Sequence, residues 1–453
     1  MEGNAFPVSG TPWLQRGRQS SRRSRMQRDV PAPPRHPSTL SPFAHRVFLA
    51  LWLASFASNL GNAVQSVGAS WLMTSIAPRA DMVALVQTAM SLPIMLFALV
   101  AGAIADLFDR RKVMLTAQVA MASASFLLAG LAFAGLVTPW LLLALTFLLG
   151  AGVALFSPAM QVSVGEVVPR AELAGAVSLN ILGFNVARSL GPAIGGGIVA
   201  LGGSSAAFVA NASSYLIAIV ILFRWRRPAP QPAPSASAGA GPRRVLPAVL
   251  EGLRHVGAAP PIRIILLRAA FFTLSGSAAW ALMPLVARNL VGGGPSAFGL
   301  LLSGLGVGAV IGAMASTAVR RRFSNEAIIR SAGIIFGIAC LIVAARPGLA
   351  ISFVVLVIGG AGWVQALAGF SVSGQIWSPR WVVGRVAATI NATIFGGLAL
   401  GAWLWGHVAE WIGLAPAIAA SGALMIVLPL VGLIIPLPRN EDANPDASPP
   451  RAA

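Results

Sequence analysis

The sequence predicts an all-α polytopic membrane protein, twelve transmembrane helices in two six-helix pseudo-repeats, on three observations. Of its 453 residues 56 % are apolar and only 10 % charged, against roughly a quarter charged in a soluble domain. Apolar runs of about 20 residues, the length that crosses a bilayer as a helix, recur from Val47 to Leu437 and raise the mean hydropathy to +0.78. Patterns in the first half return 210 positions later, as Gly150 and Gly152 do at Gly360 and Gly362. No single globular core buries so many apolar runs, which excludes a soluble enzyme. Collagen is excluded because the 48 glycines lack a three-residue period, and a disulfide scaffold because Cys340 is the only cysteine.

Residues 1–45 carry Arg16, Arg18, Arg22, Arg23, Arg25, Arg28 and Arg35 among prolines and serines, with no apolar run, and read as a disordered basic arm. They are not a cleavable signal, because the first apolar stretch starts after Arg46 and runs for about 30 residues, too long for a secretory h-region. Breaks at Gly, Pro and charged residues then set spans at 46–76, 82–105, 112–135, 139–162, 173–200 and 205–224. These form an N-terminal half, 46–224. A second set at 264–288, 296–319, 327–345, 349–374, 383–408 and 412–437 forms the C-terminal half, 264–437. Between them lies a linker, 225–263. There Val245, Leu246, Val249, Leu253 and Val256 recur at helical spacing opposite Glu251 and Arg254, giving an amphipathic helix on the membrane surface or a plain linker helix. Residues 438–453 read as a disordered tail.

A net charge of +19 would suggest nucleic acid in a soluble protein, but here the charges sit in loops, so no nucleic-acid partner is expected. Arg79, Arg288 and Arg346 are the only basic residues in one alternate set of loops and Arg188 lies inside a span; the other 28 of the 32 fall on the side of the termini and linker. Basic loops stay in the cytoplasm, so both termini and the linker are expected there. The Arg-, Ala- and Gly-rich composition suggests a GC-rich bacterial genome and hence a bacterial inner membrane.

The repeat places Gly102 with Gly312, Arg110-Arg111-Lys112 with Arg320-Arg321-Arg322, Pro169-Arg170 with Pro379-Arg380, and Gly191 with Gly401. The basic clusters and Pro-Arg pairs fall in equivalent loops, as duplication of a six-span unit requires. In such a plan the substrate cavity lies near the bilayer midplane between halves.

The string Gly102-Ala-Ile-Ala-Asp106-Leu-Phe-Asp109-Arg110-Arg111-Lys112 joins spans two and three. Gly102 permits close helix approach, and Asp106 can accept from the N-terminus of the eleventh span near Val383–Arg385 and so latch a cytoplasmic gate. A topogenic basic loop is the plainer alternative. The string resembles the loop signature of the major facilitator superfamily, with Leu107 in place of a frequent Arg and Asp109 in place of a frequent Gly. The other half has Ser316 at the Asp106 position. In span five, Arg188-Ser-Leu-Gly191-Pro192-Ala-Ile-Gly195-Gly196-Gly197 resembles that superfamily's Gly-Pro antiporter motif, more frequent in exporters. There Pro192 removes a helix hydrogen bond and Gly191, Gly195 and Gly196 permit close packing, giving an expected bend that seals one mouth; ordinary packing is the alternative.

Ser58-Asn59-Leu60-Gly61, Val168-Pro169-Arg170, Phe184-Asn185-Val186-Ala187-Arg188, Pro379-Arg380-Trp381-Val382-Val383-Gly384-Arg385 and Trp405-Gly406 are similar to the branch called transmembrane secretion effectors, which includes enterobactin exporters. That resemblance implies export of small organic molecules such as siderophores or drugs.

Arg188 is the one formal charge near a span centre, where it costs at least about 2.5–3.5 kcal/mol. It reads as an anion-binding or relay group, or as a cap on backbone carbonyls, with Asn185 on its face. Asn59, Asn62 and Ser66, with Gln65 beside them, either line the cavity or hold helices together. Trp280, Trp363, Trp377, Trp403 and Trp405 offer aromatic walls, Trp377 and Trp381 rather interface anchoring. His407 and Glu410 read as a solvated or titratable pair near the outer end of span eleven.

No phosphate loop, paired His ligands or Cys cluster occurs, so neither cofactor nor metal is expected. The resulting expectation is an exporter working by alternating access as a monomer, in exchange for protons. Its alternatives are a uniporter or exchanger, or a non-transporting receptor or scaffold.

Overall fold

A computed structural model of the chain describes residues 3, 40–225, 259–379 and 382–431. The arm, the amphipathic segment of the linker, the tail and the last residues of span twelve lie outside them. The helices are α1 (Arg46–Ile76), α2 (Ala80–Leu107), α3 (Arg110–Phe133), α4 (Pro139–Val167), a 52-residue run Leu173–Arg224, α7 (Pro260–Leu290), α8 (Pro295–Arg322), α9 (Asn325–Ala344), α10 (Leu349–Ile376), α11 (Val383–Ile412) and α12 (Leu414–Val431). Most overrun the expected spans by a few residues at one end or both, because a helix continues past the apolar run into polar residues at the membrane surface, while α1 coincides with its span.

The run Leu173–Arg224 leaves helical geometry only at Gly203, at φ +73°, a conformation glycine adopts without a Cβ clash. Fifty-two residues in one rod would measure about 78 Å, against a bilayer core of about 30 Å. The chain reverses instead. Gly191 and Gly195 pack along Ala63 and Val64 of α1, and beyond the turn Ala207 and Ser214 come back against Gly68 and Gly61 of that helix. Residues 173–202 are therefore α5 and 204–224 are α6, completing twelve helices among the described residues. At Pro192 φ and ψ stay in the helical region, and the break between the two helices falls at Gly203.

Lipid replaces water as solvent for the outer faces, where Leu201, Phe133 and Trp411 are 93 %, 89 % and 83 % exposed. With lipid outside, apolar burial does little to hold helices together, and small residues and buried polar bonds take over. In the first half Gln65 of α1 accepts from Ser125 of α3 (2.9 Å) and Asn211 of α6 (3.2 Å), Gln118 donates to Ser58 (3.0 Å), and the Tyr215 hydroxyl donates to Asn62. In the second half Ser421 of α12 donates to the Ser275 carbonyl of α7 (2.6 Å) and Gln365 of α10 to the Gly312 carbonyl of α8 (2.9 Å).

The sequence repeat is visible as packing. Gly150 of α4 lies on the Met90 carbonyl of α2, and Gly360 of α10 on the Leu305 carbonyl of α8. Gly191 packs α5 on α1, and Gly401 packs α11 on α7. The bond from Asn211 to Gln65 has its counterpart, 210 positions on, in that from Ser421 to Ser275. The halves meet along two seams, α2 against α11 and α5 against α8. The face at which α1 begins, where both basic clusters lie, is called the basic face below; its opposite is the far face.

Candidate substrate cavity

At the far end of the α2–α11 seam, Glu410 accepts the backbone N–H of Ala80 and a Cβ on Gly406 would stand 3.0 Å from the Asp81 Cα. Next along come the Thr88 hydroxyl, donating to the Ala399 carbonyl (2.9 Å), and Gly396 against Met95. In the α5–α8 seam Gly196 lies on the Pro295 carbonyl, Gly299 on that of Pro192, and Gly306 on Arg188 and Ser189. Arg288 donates to the Thr74 carbonyl (2.7 Å), and Trp71 stacks on Phe298 with ring centroids 6.4 Å apart. These contacts run from the far face to mid-span. Towards the basic face the seams part: among the described residues Gly102 and Gly384 have nothing within 4 Å of where a Cβ would stand, and Ile181 of α5 is 56 % exposed. Ala313, on the seam face of α8, is exposed as well.

Arg188 stands where the seam begins to part. Pro192, four residues on, has no N–H to offer the Arg188 carbonyl, and Gly306 packs onto that carbonyl, its Cβ position 2.8 Å away. The half-buried guanidinium lies over the Trp280 ring, 4.6 Å from the centroid, a stabilising cation–π geometry. Carbonyl capping has no counterpart among the described residues, where Arg188 donates no hydrogen bond. Asn185, one turn towards the basic face, donates to its own helix at Ile181 (2.9 Å).

Other candidates fall elsewhere. Gln65, 2 % exposed, is glue among α1, α3 and α6, and Asn62 accepts from buried Tyr215. Asn59 is half-buried and donates to Ser55 one turn back (3.3 Å). Trp363, 2 % exposed, is packed between Phe272 and Phe336, with centroids at 5.1 and 5.0 Å, so it belongs to the core of the second half. Trp405 is buried too, donating to the Leu274 carbonyl (2.9 Å). A groove of about 320 Å³ between α2, α3 and α4 contains none of the candidate residues.

At the basic face Asp109 caps α3, accepting from the Lys112 N–H (3.2 Å). Arg110 pairs with Glu166 of α4, while Arg111 donates to the Leu222 and Phe223 carbonyls that end α6 (2.8 and 2.6 Å). The basic pair thus ties helices within the first half. Among the described residues nothing stands within 4 Å of a Cβ on Gly102. Arg385 is half-buried in the first turn of α11; the Asp106 side chain lies outside the described residues.

What sequence reading missed is the partner of Glu410, a residue it pairs with His407. Glu410 turns to Ala80, while His407 turns to the Trp403 carbonyl of its own helix (2.9 Å). Arg79 beside it is raised above the usual guanidinium range, chiefly by its bond to Asp81, with Glu410 adding to the effect. The pairing of α2 with α11 that led to Asp106 would have found it, read at the other end of the same two helices.

Two six-helix halves meeting along the α2–α11 and α5–α8 seams define a multi-pass membrane protein of the major facilitator fold. The family model described as transmembrane secretion effector matches residues 37–452, and the chain belongs to that family. It is 27 % identical over 409 residues to the multidrug efflux pump Tap of Mycolicibacterium fortuitum, covering 87 % of this chain and 97 % of that one. It is also 27 % identical over 358 residues to YfiS of Bacillus subtilis, an uncharacterised transporter of the superfamily, covering 77 % and 83 %. Among solved structures, the nucleoside transporter NupG superposes with a TM-score of 0.71 at 11 % identity, over 86 % of this chain and 99 % of that one, a likeness of fold.

Proposed function

We propose that this transporter exports small organic molecules across a bacterial inner membrane by alternating access, working as a monomer and exchanging cargo for protons. The observation that carries this reading is the pair of seams, joined at the far face and parted towards the basic face. With basic loops retained in the cytoplasm, both termini lie inside and the cavity opens inward, the state in which an exporter loads. Supporting it are the family description and the naming of a relative as a multidrug efflux pump. Arg188, Trp280 and Asn185 are the side chains we assign to the cavity, and Asp106 with Arg385 to the inner gate.

Everted vesicles carrying the protein should accumulate at least one of a set of anionic, neutral and cationic dyes, ethidium among them, when energised and lose that accumulation on adding a proton uncoupler. Uptake that survives the uncoupler would point instead to a uniporter or exchanger. That second reading is favoured by one observation: each described carboxylate is engaged near a helix end, and none stands at mid-span. No uptake of any kind would leave a non-transporting receptor.

A further inference from the structure

Seven basic side chains on or beside the helices are matched to an acceptor, and those without one among the described residues, Arg188 apart, are exposed at helix ends or in loops. Arg79 bonds Asp81, Arg110 bonds Glu166, and Arg268 and Arg330 share Glu326. Arg111 and Arg288 donate to carbonyls, and Arg320 donates to Asn325 (2.8 Å). Arg188 departs from that pattern. Its described contact is the face of Trp280, which holds the guanidinium by its π surface and leaves the N–H donors around its edge uncommitted. Close by, the indole N–H of Trp280 and the hydroxyl of Ser189, both buried atoms, also lack a hydrogen-bond partner among the described residues. The apex of the cavity therefore has a surplus of donors.

Its surroundings are apolar and open. Phe184 and Ile181, four and seven residues before Arg188 and so on its face of α5, are 48 % and 56 % exposed. The described carboxylates sit at helix ends and are bonded there, so a cationic cargo would meet no counter-charge at this depth.

We infer that the cavity selects amphipathic organic anions, whose planar acid group is held edge-on by Arg188 while the apolar body lies along Phe184 and Ile181. Trp280 is the positioning residue that fixes the guanidinium plane. A carboxylate matches the fork with two parallel hydrogen bonds, and neutralising Arg188 removes the cost of an uncompensated charge at mid-span. The inference rests on reading the seam as the cargo cavity.

The test uses the full chain purified in detergent and three matched fluorescent probes: pyrenebutyrate, pyrenebutanol and a pyrenebutyl-trimethylammonium salt. Energy transfer from tryptophan to pyrene reports binding. Pyrenebutyrate should bind more tightly than the other two, and unlabelled benzoate should displace it where benzyl alcohol and benzylamine do not. In Arg188→Met its affinity should fall roughly ten- to a hundredfold, the range for a charged hydrogen-bonded pair. Arg188→Lys, which keeps charge without the fork, should fall in between. Equal binding of all three probes to the unaltered protein, or displacement by benzylamine as readily as by benzoate, overturns the inference without any variant having to fold. Everted vesicles separate this from transport itself. Anion binding that depends on Arg188 without flux would sustain the inference and sink the exporter reading. Ethidium flux unaltered in Arg188→Met, with no preference for the anion, would do the reverse.

Discussion

The carboxylate of Glu410, in the last turn of α11, accepts the backbone N–H of Ala80, the first residue of α2. An acid thus sits at a helix N-terminus where unpaired N–H groups and the helix dipole favour negative charge, and it joins the two halves at the far face. The acid expected to do the same at the basic face, Asp106, lies at the opposite end of the same α2.

Glu410→Gln keeps an acceptor oxygen and removes the charge. The lost interaction is about 0.3–1 kcal/mol, or about two- to fivefold in the equilibrium between the two openings. Ala399→Cys, at a buried seam position, should react correspondingly faster with an impermeant maleimide from outside intact cells, the native Cys340 being buried. An unchanged labelling rate would refute the far-face latch.

Gly306→Ala should wedge the α5–α8 seam, because the new Cβ would stand 2.5 Å from the Ser189 Cα and 2.8 Å from the Arg188 carbonyl. Overpacking of this kind costs about 1–3 kcal/mol, here charged to the inward-opening state alone. Labelling of Ala399→Cys should therefore rise more than in Glu410→Gln. Gly384→Ala, with nothing within 4 Å among the described residues, should leave it unaltered.

Asp106→Asn should weaken the inner gate without loss of insertion. Cysteines placed on the cavity face of α5 should label more readily from the cytoplasmic side, with slower transport per folded molecule. Wild-type transport with unaltered labelling would exclude Asp106 from the gate.

Gln65→Leu should act on stability rather than on cargo. It strips Ser125 and Asn211 of a shared acceptor, a loss of about 1–3 kcal/mol when buried donors are left unsatisfied. The melting temperature in detergent should drop, with an unaltered cargo profile for the protein that remains. A changed profile at constant stability would return Gln65 to the cavity wall.

The helices and their duplication were legible because lipid demands long apolar runs and because Gly150, Gly360, Gly191 and Gly401 mark backbone approaches that admit no Cβ. The reversal at Gly203 was legible for the same reason, as Gly202-Gly203 between two apolar stretches. What lines the cavity was legible only at Arg188, since a mid-span charge needs a special place. Trp280 and Trp363 look alike in sequence, yet one holds Arg188 and the other fills a core. In a lipid-solvated chain hydropathy no longer separates inside from outside. Gln65 was ambiguous for a related reason: a polar group can be satisfied by a cavity or by a neighbouring helix, and only the packing of α3 and α6 decides. The partner of Glu410 was hidden because it is a backbone N–H, which leaves no mark in the sequence.

The two seams differ in kind, and the difference bears on how the molecule swings. Between α5 and α8, Gly196, Gly299 and Gly306 bring bare backbone against bare backbone. That side is built like a plain bearing, on which one rod rolls over another with little resistance. Between α2 and α11 the polar groups of Thr88 and Glu410 must let go before the far mouth can widen. The α2–α11 side is the catch, and the resistance to the swing is concentrated there. Substitutions that retune turnover should accordingly gather on α2 and α11, while those on the α5–α8 bearing should jam the motion or leave it untouched.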